Sequence, residues 1–337
     1  MTRIALDARL TRQLSVGMQA YTRELTERLP RVAPDFEFVM FREGGNFGWA
    51  EHVRLPLAIR AAKPDLTHFL SQYTPVLPAR PYIVTVHDLI HLLFPQYFKA
   101  KVGPYYHTVV RFVCSRAARV ITDDERTVED LQRFLGVAPE RVRVIPLGVD
   151  DRFLQAIEPE RSGRSYFLYA GNHREHKDLP TLLAAWKALP EECEADLFIT
   201  GPDDFGSTRY VRGNGRVAAL GELPVDELAR YYAGAVALVH PALREGFGFP
   251  MLEAMAARTA VIASDAALPV VLRGAALTFP PGDVVAASVA MRRVLTDEGL
   301  RTTLVNEGRT RAEALSWDRC ARSTAQVYRE VLEESKR

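Results

Sequence analysis

The sequence predicts an α/β protein built from two parallel-sheet domains, and three observations carry that expectation. At 337 residues the chain exceeds what one hydrophobic core usually supports. Short runs rich in Val, Ile, Leu and Phe alternate with longer segments whose apolar residues recur at helical spacing. The alternation stops once, in a polar and irregular stretch after Gly148, and then starts again.

In the first half, Arg3 to Leu6, Glu37 to Phe41, Tyr82 to Val86, Arg119 to Thr122 and Val142 to Ile145 read as strands. Tyr21 to Leu29 and Thr127 to Leu135 read as helices between them. A strand, helix, strand alternation implies a parallel sheet covered on both faces. The stretch containing Asp150, Asp151, Glu158, Pro159, Glu160, Arg161 and Ser162 holds few large apolar residues except Phe153 and Leu154, and reads as a linker. Strands then resume at Tyr166 to Ala170, Leu197 to Thr200, Val236 to His240 and Ala260 to Ala263, with helices at Leu179 to Leu189, Val225 to Tyr232 and Pro250 to Ala257. The expected division is a first domain over 1–150, a linker over 151–164 and a second domain over 165–316. Open parallel sheets bind ligands outside the carboxyl ends of their strands, so a substrate is expected in a cleft between the two domains.

Composition narrows the function classes. Lys and Arg number 43 against 42 Asp and Glu, and 47% of residues are apolar, as in ordinary soluble globular proteins. A nucleic-acid partner would ask for a basic excess on one face, and none is visible. The three cysteines, Cys114, Cys193 and Cys320, are far apart and form no CxxC pair, so no disulfide framework or zinc site is suggested. The start of the chain has charges at Arg3 and Asp7 where a signal peptide would need its apolar core, which leads to the expectation of a cytoplasmic protein. The most apolar stretch, Ala233 to Leu243, is broken by His240 and Pro241 and is far short of a membrane span. Tyr97 to Arg119 interleaves Tyr97, Phe98, Tyr105, Tyr106 and Phe112 with Lys99, Lys101, Arg111, Arg116 and Arg119. Such a segment either packs on its own core or docks at the inner face of a membrane carrying a lipid-linked acceptor.

The segment HPALREGFGFPMLEAMAARTAVIAS is the most informative. A buried strand ends at His240, a turn carries Gly246 and Gly248, and Pro250 opens a helix, where its missing amide costs nothing. Glycines let backbone amides approach a ligand, and a helix amino terminus favours an anion by about 0.3 to 2 kcal/mol. Glu253 lies among Met251, Leu252, Ala254 and Met255, so its carboxylate needs a partner, and both hydroxyls of a ribose would serve. Glu245, across the turn, is placed to do the same for a sugar ring. Spacing alone equally allows two solvated surface glutamates.

From Glu245 to Glu253, with GFGFP between them and EAMA at the end, the chain resembles the E-x7-E signature of the family 4 retaining glycosyltransferases, closest in pattern to bacterial mannosyltransferase-like members. The resemblance runs through almost the whole chain and implies a GT-B fold of two Rossmann-like domains. DARLTRQLSVGMQAYTRELTERL is similar to the family's glycine loop and following helix, with Gly17 as the matching residue and Gln19 where many members have a second glycine. The alternative is a plain helix start. VTVHDLIHLLFPQYF is similar to the strand-end HD motif, which implies that His87 reaches the donor sugar. A structural histidine, or a metal site with Asp88 and His91, is the alternative there. ITDDERTVEDLQRFLGVAPERVRVIPLGVD matches the end of the first domain, with Asp124 where serine is common, serving either the acceptor or a helix cap at Arg126.

YFLYAGNHREHKDLPTLLAAWKAL resembles the segment that supplies the donor-phosphate cation, here Lys177. Asn172 replaces a common arginine, which leaves His173, Arg174 or His176 to assist. SWDRCARSTAQVYREVLEESKR resembles the closing helix that crosses back to brace the first domain over 317–337, with Trp317 and Tyr328 packing. Val270 and Val271 stand where many relatives have a glutamate.

The resemblance thus implies a hexosyltransferase acting on a nucleotide-sugar donor (GDP-mannose or UDP-hexose type) and a saccharide or lipid-linked acceptor in polysaccharide biosynthesis. His87, Lys177 and Glu245 are its expected catalytic residues. Gly17, Asn172, Arg174, Lys177, Glu245, Gly246, Phe247, Gly248, Phe249 and Glu253 are its expected donor-binding residues. No cofactor and no metal are expected, because the doublets Asp123-Asp124, Asp150-Asp151 and Asp203-Asp204 lack the DxD form. A nucleotide-sugar epimerase of the same fold and a non-catalytic nucleotide-sugar-binding subunit are the rival readings.

Overall fold

A computed structural model describes residues 1–10, 14–45, 48–202, 211–212 and 215–336. Asp203 and Asp204 lie outside the described residues. The chain divides into two units, one of 1–148 with 316–337 and one of 149–315. The polar stretch 151–164 groups with the second unit, where Asp151–Leu154 forms a short 3-10 helix capped by the Asp150 carboxylate and buries Phe153.

The first unit runs β1 (Thr2–Asp7), α1 (Val16–Val32), β2 (Phe36–Phe41), α2 (Trp49–Ala62), β3 (Leu66–Phe69), β4 (Tyr82–Thr85), the short helices α3 (Ile90–Leu93), α4 (Val102–Tyr105) and α5 (Arg111–Arg116), then β5 (Arg119–Thr122), α6 (Glu125–Asp130) and β6 (Val142–Val144). Its strands all pair in parallel, in the order β2-β1-β3-β4-β5-β6. Ser15 caps α1 by accepting from the Met18 amide, and Tyr21, Leu25 and Leu29, one per turn, put one face of that helix into the core.

The second unit runs β7 (Tyr166–Tyr169), α7 (Leu179–Lys187), β8 (Asp196–Thr200), β9 (Val211–Arg212), β10 (Gly215–Gly221), α8 (Val225–Gly234), β11 (Ala237–His240), α9 (Phe249–Ala256), β12 (Ala260–Ser264), β13 (Leu277–Phe279), α10 (Val284–Thr296) and α11 (Glu298–Glu313). Its sheet has the order β13-β12-β11-β7-β8-β10-β9, parallel except for the β9–β10 pair. β7 is first in sequence, and the chain builds β8 on one side of it and later β11 on the other. The direction of winding therefore reverses between β7 and β11, and ligands of such sheets bind beyond the carboxyl ends at that reversal.

The last helix, α12 (Trp317–Glu334), belongs to the first unit. Trp317, Cys320, Ala321, Thr324, Ala325, Tyr328 and Val331 are buried at helical spacing. At about 1.5 to 3 kcal/mol per large side chain, this stripe fastens the helix far more firmly than the partly exposed ion pairs along its rim. Those pairs join Arg28 to Asp318 at 2.7 Å and Arg329 to Asp35 at 2.9 Å. Gly148 lies so near the start of α12 that a Cβ there would meet the Trp317 nitrogen at 2.1 Å, so no other residue fits.

Both sheets carry strands that the sequence does not announce. β3 reads Leu-Thr-His-Phe, and its Thr67 and His68 are buried polar residues. β10 has glycine at both ends, and β13 has three residues. α2 contains Pro56, and its apolar residues keep no clear face.

Candidate functional site

Two loops meet at the reversal of the second sheet. The loop leaving β7 turns through Gly171 to Lys177, ending in a 3-10 turn over Glu175–Lys177. The loop leaving β11 runs from Pro241 to Gly248. They are tied by the Leu243 amide donating to the His176 carbonyl at 2.8 Å. The Ser264 hydroxyl at the end of β12 donates to the Ala242 carbonyl and accepts from the Ala267 amide at 3.1 Å, which anchors the second loop.

This framework brings Lys177 and Glu245 together. The Lys177 ammonium is hydrogen-bonded to Glu245 Oε1, and His240 Nε2 reaches the same oxygen at 2.7 Å. Burial alone would push the Glu245 carboxyl up, but the charge of Lys177 and the hydrogen bond from His240 hold it well below the usual carboxylate range. His240 closes β11 with its ring stacked parallel on Tyr169 of β7 at 6.2 Å. The motif reading missed His240 as a partner. Its signal was a polar residue ending an otherwise apolar strand.

The turn after Glu245 has the form of an anion site. Gly248 is left-handed at φ +75°, and a Cβ there would strike Met251 Cε at 2.3 Å. Among the described residues, the amides of Gly246, Phe247 and Gly248 donate to no protein acceptor. α9 starts directly behind them with Pro250 in its first turn and buries Met251, Leu252, Ala254, Met255 and Ala256. Three free donors at a helix start are what a phosphate would satisfy.

Glu253 sits on α9, half-buried, and accepts a hydrogen bond from the Tyr232 hydroxyl at 3.1 Å. It touches neither Glu245 nor Lys177. Burial, resisted by the Tyr232 hydrogen bond and supported by the negative charge of Asp150, pushes its carboxyl up to about 7. Tyr232 is the partner the sequence left unnamed. Asn172 and Arg174 are exposed on the β7 loop, where the Asn172 carbonyl accepts from the Tyr169 hydroxyl at 2.6 Å. His173 bonds the Thr200 carbonyl at 3.1 Å, so it is committed to the scaffold.

Gly17 and His87 lie in the first unit. Gly17 is in the first turn of α1, one turn before Tyr21, whose ring meets His87 edge-on at 4.8 Å. His87 Nδ1 is 2.6 Å from Asp123 Oδ2, and both residues are buried. Asp88 is turned away to cap the Ile90 amide at 3.0 Å, and His91 contacts the Tyr106 hydroxyl at 3.2 Å. Among the described residues no group of three or more His, Cys, Asp or Glu is arranged to hold a metal. Asp124 is a helix cap: it accepts from the Arg126 amide at 3.0 Å and pairs with that guanidinium at 2.7 Å.

In the 97–119 segment Lys99, Lys101, Arg111 and Arg116 are exposed, Tyr106 is core, and Arg119 is engaged by Glu330 at 2.6 Å. No helix among the described residues is long and apolar enough to cross a membrane.

A doubly wound α/β unit with a buried Lys–Glu pair and a glycine turn at its reversal point has the form of a nucleotide-binding class of fold. Two family models narrow this: "Glycosyltransferase Family 4" matches residues 15–153 and "Glycosyl transferases group 1" matches residues 164–297. Together they span most of the chain, which belongs to these glycosyltransferases.

Among curated relatives, O-antigen chain mannosyltransferase B of Escherichia coli is 27% identical over 81% of this chain and 76% of its own length. O-antigen chain mannosyltransferase RfbU of Salmonella typhimurium is 30% identical over 60% of this chain and 58% of its own. Among solved structures, sucrose-phosphate synthase from Thermosynechococcus elongatus superposes with a TM-score of 0.75 at 21% identity, covering 99% of this chain and 100% of that one. Anabaena HepE in complex with UDP-glucose superposes at 0.73 and 16% identity, covering 98% of this chain and 100% of that one. These are GT-B glycosyltransferases, and the fold is GT-B.

Proposed function

We propose that this chain transfers a hexose from a nucleotide-sugar donor of the GDP-mannose or UDP-hexose type to a saccharide or lipid-linked acceptor, with retention of configuration and without a metal. One observation carries the reading: Lys177, Glu245 and the unengaged amides of Gly246 to Gly248 converge outside β7 and β11. The relatives named as mannosyltransferases support a mannose donor, and the HepE complex supports nucleotide-sugar binding on this fold.

The pyrophosphate sits against the turn amides and Lys177, whose ammonium has three donors and can keep Glu245 while reaching an oxygen of the leaving group. Glu253 accepts the ribose hydroxyls. Glu245 orients the hexose through the carboxylate oxygen that His240 and Lys177 leave free. Asn172, Arg174, Phe247 and Phe249 line the donor, and Gly17 and His87 are substrate contacts. The bond from C1 to the phosphate oxygen breaks while the acceptor oxygen bonds C1 on the same face, and the acceptor's proton passes to the departing phosphate. A lipid-linked acceptor would be met by the exposed Lys99, Lys101, Arg111 and Arg116, making the protein peripheral at the inner face of the membrane.

The test is turnover of GDP-mannose, UDP-glucose and UDP-N-acetylglucosamine with a panel of acceptors, with and without EDTA, and with product anomers read by proton NMR. Wild type is expected to release nucleoside diphosphate and form an α-linked product, EDTA is expected to leave turnover unchanged, and Glu245→Ala is expected to abolish transfer with little change in nucleotide affinity. Isomerised donor without acceptor would assign an epimerase, donor binding without turnover would assign a binding subunit, and full activity of Glu245→Ala would reject its role. Flotation without binding to anionic vesicles would remove the membrane contact.

A further inference from the structure

His87 and Asp123 follow adjacent parallel strands. Thr85 of β4 is in register with Ile121 of β5, and two residues further on each strand the pair stands directly opposite, just outside the carboxyl ends of the sheet. His87 is 6% exposed and Asp123 is 2% exposed. Asp123 Oδ2 takes the 2.6 Å hydrogen bond from His87 Nδ1, while Asp123 Oδ1 is buried with no hydrogen bond. A buried carboxylate with one oxygen unmet is a poor structural choice, because an apolar residue would avoid the cost. Its one engagement is the imidazole. His87 Nε2 is likewise buried without a well-formed partner, so it is the ring nitrogen still able to bond a ligand.

Few other charges face the pair. Tyr21 of α1 meets the ring with its edge, and burial pushes its phenol well above the ordinary range, so it stays neutral. His68 of β3 is held neutral by burial, at about 3, with Nδ1 against the Tyr328 hydroxyl at 2.7 Å and Nε2 against the Thr85 hydroxyl at 2.9 Å. Burial also pushes up the Cys320 thiol of α12, which faces Asp123. Asp124 is matched by Arg126, and Asp88 adds negative charge. Burial disfavours a charged His87 ring, but Asp123, its hydrogen bond, Asp88 and the Leu70 carbonyl outweigh that and raise its pKa above the ordinary histidine value.

We propose that Asp123 is the positioning residue for His87: it accepts the hydrogen bond from Nδ1–H, locks the ring between Tyr21 and the end of β5, and presents Nε2 to a substrate hydroxyl. This rests on the reading of His87 as the donor-sugar contact. With Nδ1–H held by Asp123, Nε2 donates to a sugar hydroxyl when the ring carries both protons and accepts from one when the ring is neutral. Without the carboxylate the neutral ring is free to shift its proton to Nε2 and to rotate, so both the tautomer and the aim of Nε2 are lost.

The experiment uses histidine-labelled full-length protein without ligand, with the His87 resonances assigned from the loss of signal in His87→Gln. In wild type, nitrogen-detected NMR is expected to find Nδ1 protonated from pH 6 to 8, and the His87 titration to lie above that of an exposed histidine. Asp123→Asn is expected to lower that titration by about one unit or more, since an opposite charge at this range shifts a pKa by about 1 to 3. Donor turnover is expected to fall by about tenfold or more in kcat with donor KM little changed. Asp123→Glu is expected to restore part of both. A wild-type ring with Nδ1 bare, or an Asp123→Asn titration that does not move, overturns the proposal, and the wild-type measurement decides it even where the variant does not fold. These NMR results need no turnover, so failure of the transferase reading is seen separately.

Discussion

Tyr232 donates its hydroxyl to Glu253 across 3.1 Å, joining α8 to α9 beneath the glycine turn. The tie holds the Glu253 carboxyl in place before any ligand arrives, and it works against burial by favouring the charged form. An ionised carboxylate accepts two ribose hydroxyls. A protonated one must spend an oxygen as a donor.

Nucleotide affinity should therefore depend on pH near neutrality. With the carboxyl at about 7, nucleoside diphosphate binding is expected to weaken as pH falls from 8 to 6. Tyr232→Phe removes a bond to the charged form and should move that decline to higher pH. Isothermal calorimetry at several pH values reads both, and a flat profile in wild type would remove the ribose role from Glu253.

The same group has a stability signature of fixed sign. Its folded pKa lies above the ordinary carboxyl value of 4.5, so between 4.5 and about 7 the unfolded chain binds fewer protons than the folded one. Glu253 thus favours the fold most at the acid side, and that contribution is lost as pH rises through this window. Glu253→Gln should flatten the fall, measured as denaturant midpoints across pH 4.5 to 7.5.

Breaking the Lys177–Glu245 pair from the cation side leaves a buried carboxylate with only His240. Lys177→Met is expected to cost about 3 kcal/mol in urea unfolding. Adding Glu245→Gln should recover part of that loss, because the amide oxygen still accepts from His240. Equal stability of the single and double variants would mean that the pair is not coupled.

Gly248→Ala forces a side chain into the left-handed region and against Met251. A cost of about 1 to 2 kcal/mol is expected from the backbone alone. Affinity for nucleoside diphosphate should fall with it, since the free amides lie in this turn. Unchanged affinity would place the anion elsewhere.

Tyr328→Phe removes the hydroxyl partner of the buried His68 Nδ1. An unmet buried polar atom costs about 1 to 3 kcal/mol, which thermal unfolding would register. A variant as stable as wild type would mean that water or another group replaces the bond.

Much of the fold was legible because strands buried on both faces, such as Tyr-Ile-Val-Thr in β4 and Ala-Val-Ile-Ala-Ser in β12, are almost wholly apolar and bounded by turns. β3 was hidden because Thr67 and His68 occupy core positions, where hydrogen bonds replace apolar character. β10 and β13 were hidden by glycine and by length. At the site, the E-x7-E spacing located the glycine turn, and the loop motif located Lys177. Hydrogen-bond partners contributed by other elements were not legible. His240 lies five residues before Glu245, Asp123 lies thirty-six after His87, and Tyr232 precedes Glu253 by twenty-one. The fold sets such distances, and the local pattern does not encode them. Asp124 shows the reverse case: its backbone setting at the start of α6 settles it as a cap.

The discontinuity of the first unit bears on how the protein is made. Residues 149–315 are contiguous and can close their sheet as soon as they leave the ribosome, whereas residues 1–148 must wait for α12. Until Tyr328 and its neighbours emerge, His68 lacks a partner and one side of the opening sheet is wet. The half synthesised first is thus completed last, and in nascent chains the segment 1–148 should stay open to proteases and chaperones well after the other half has become resistant.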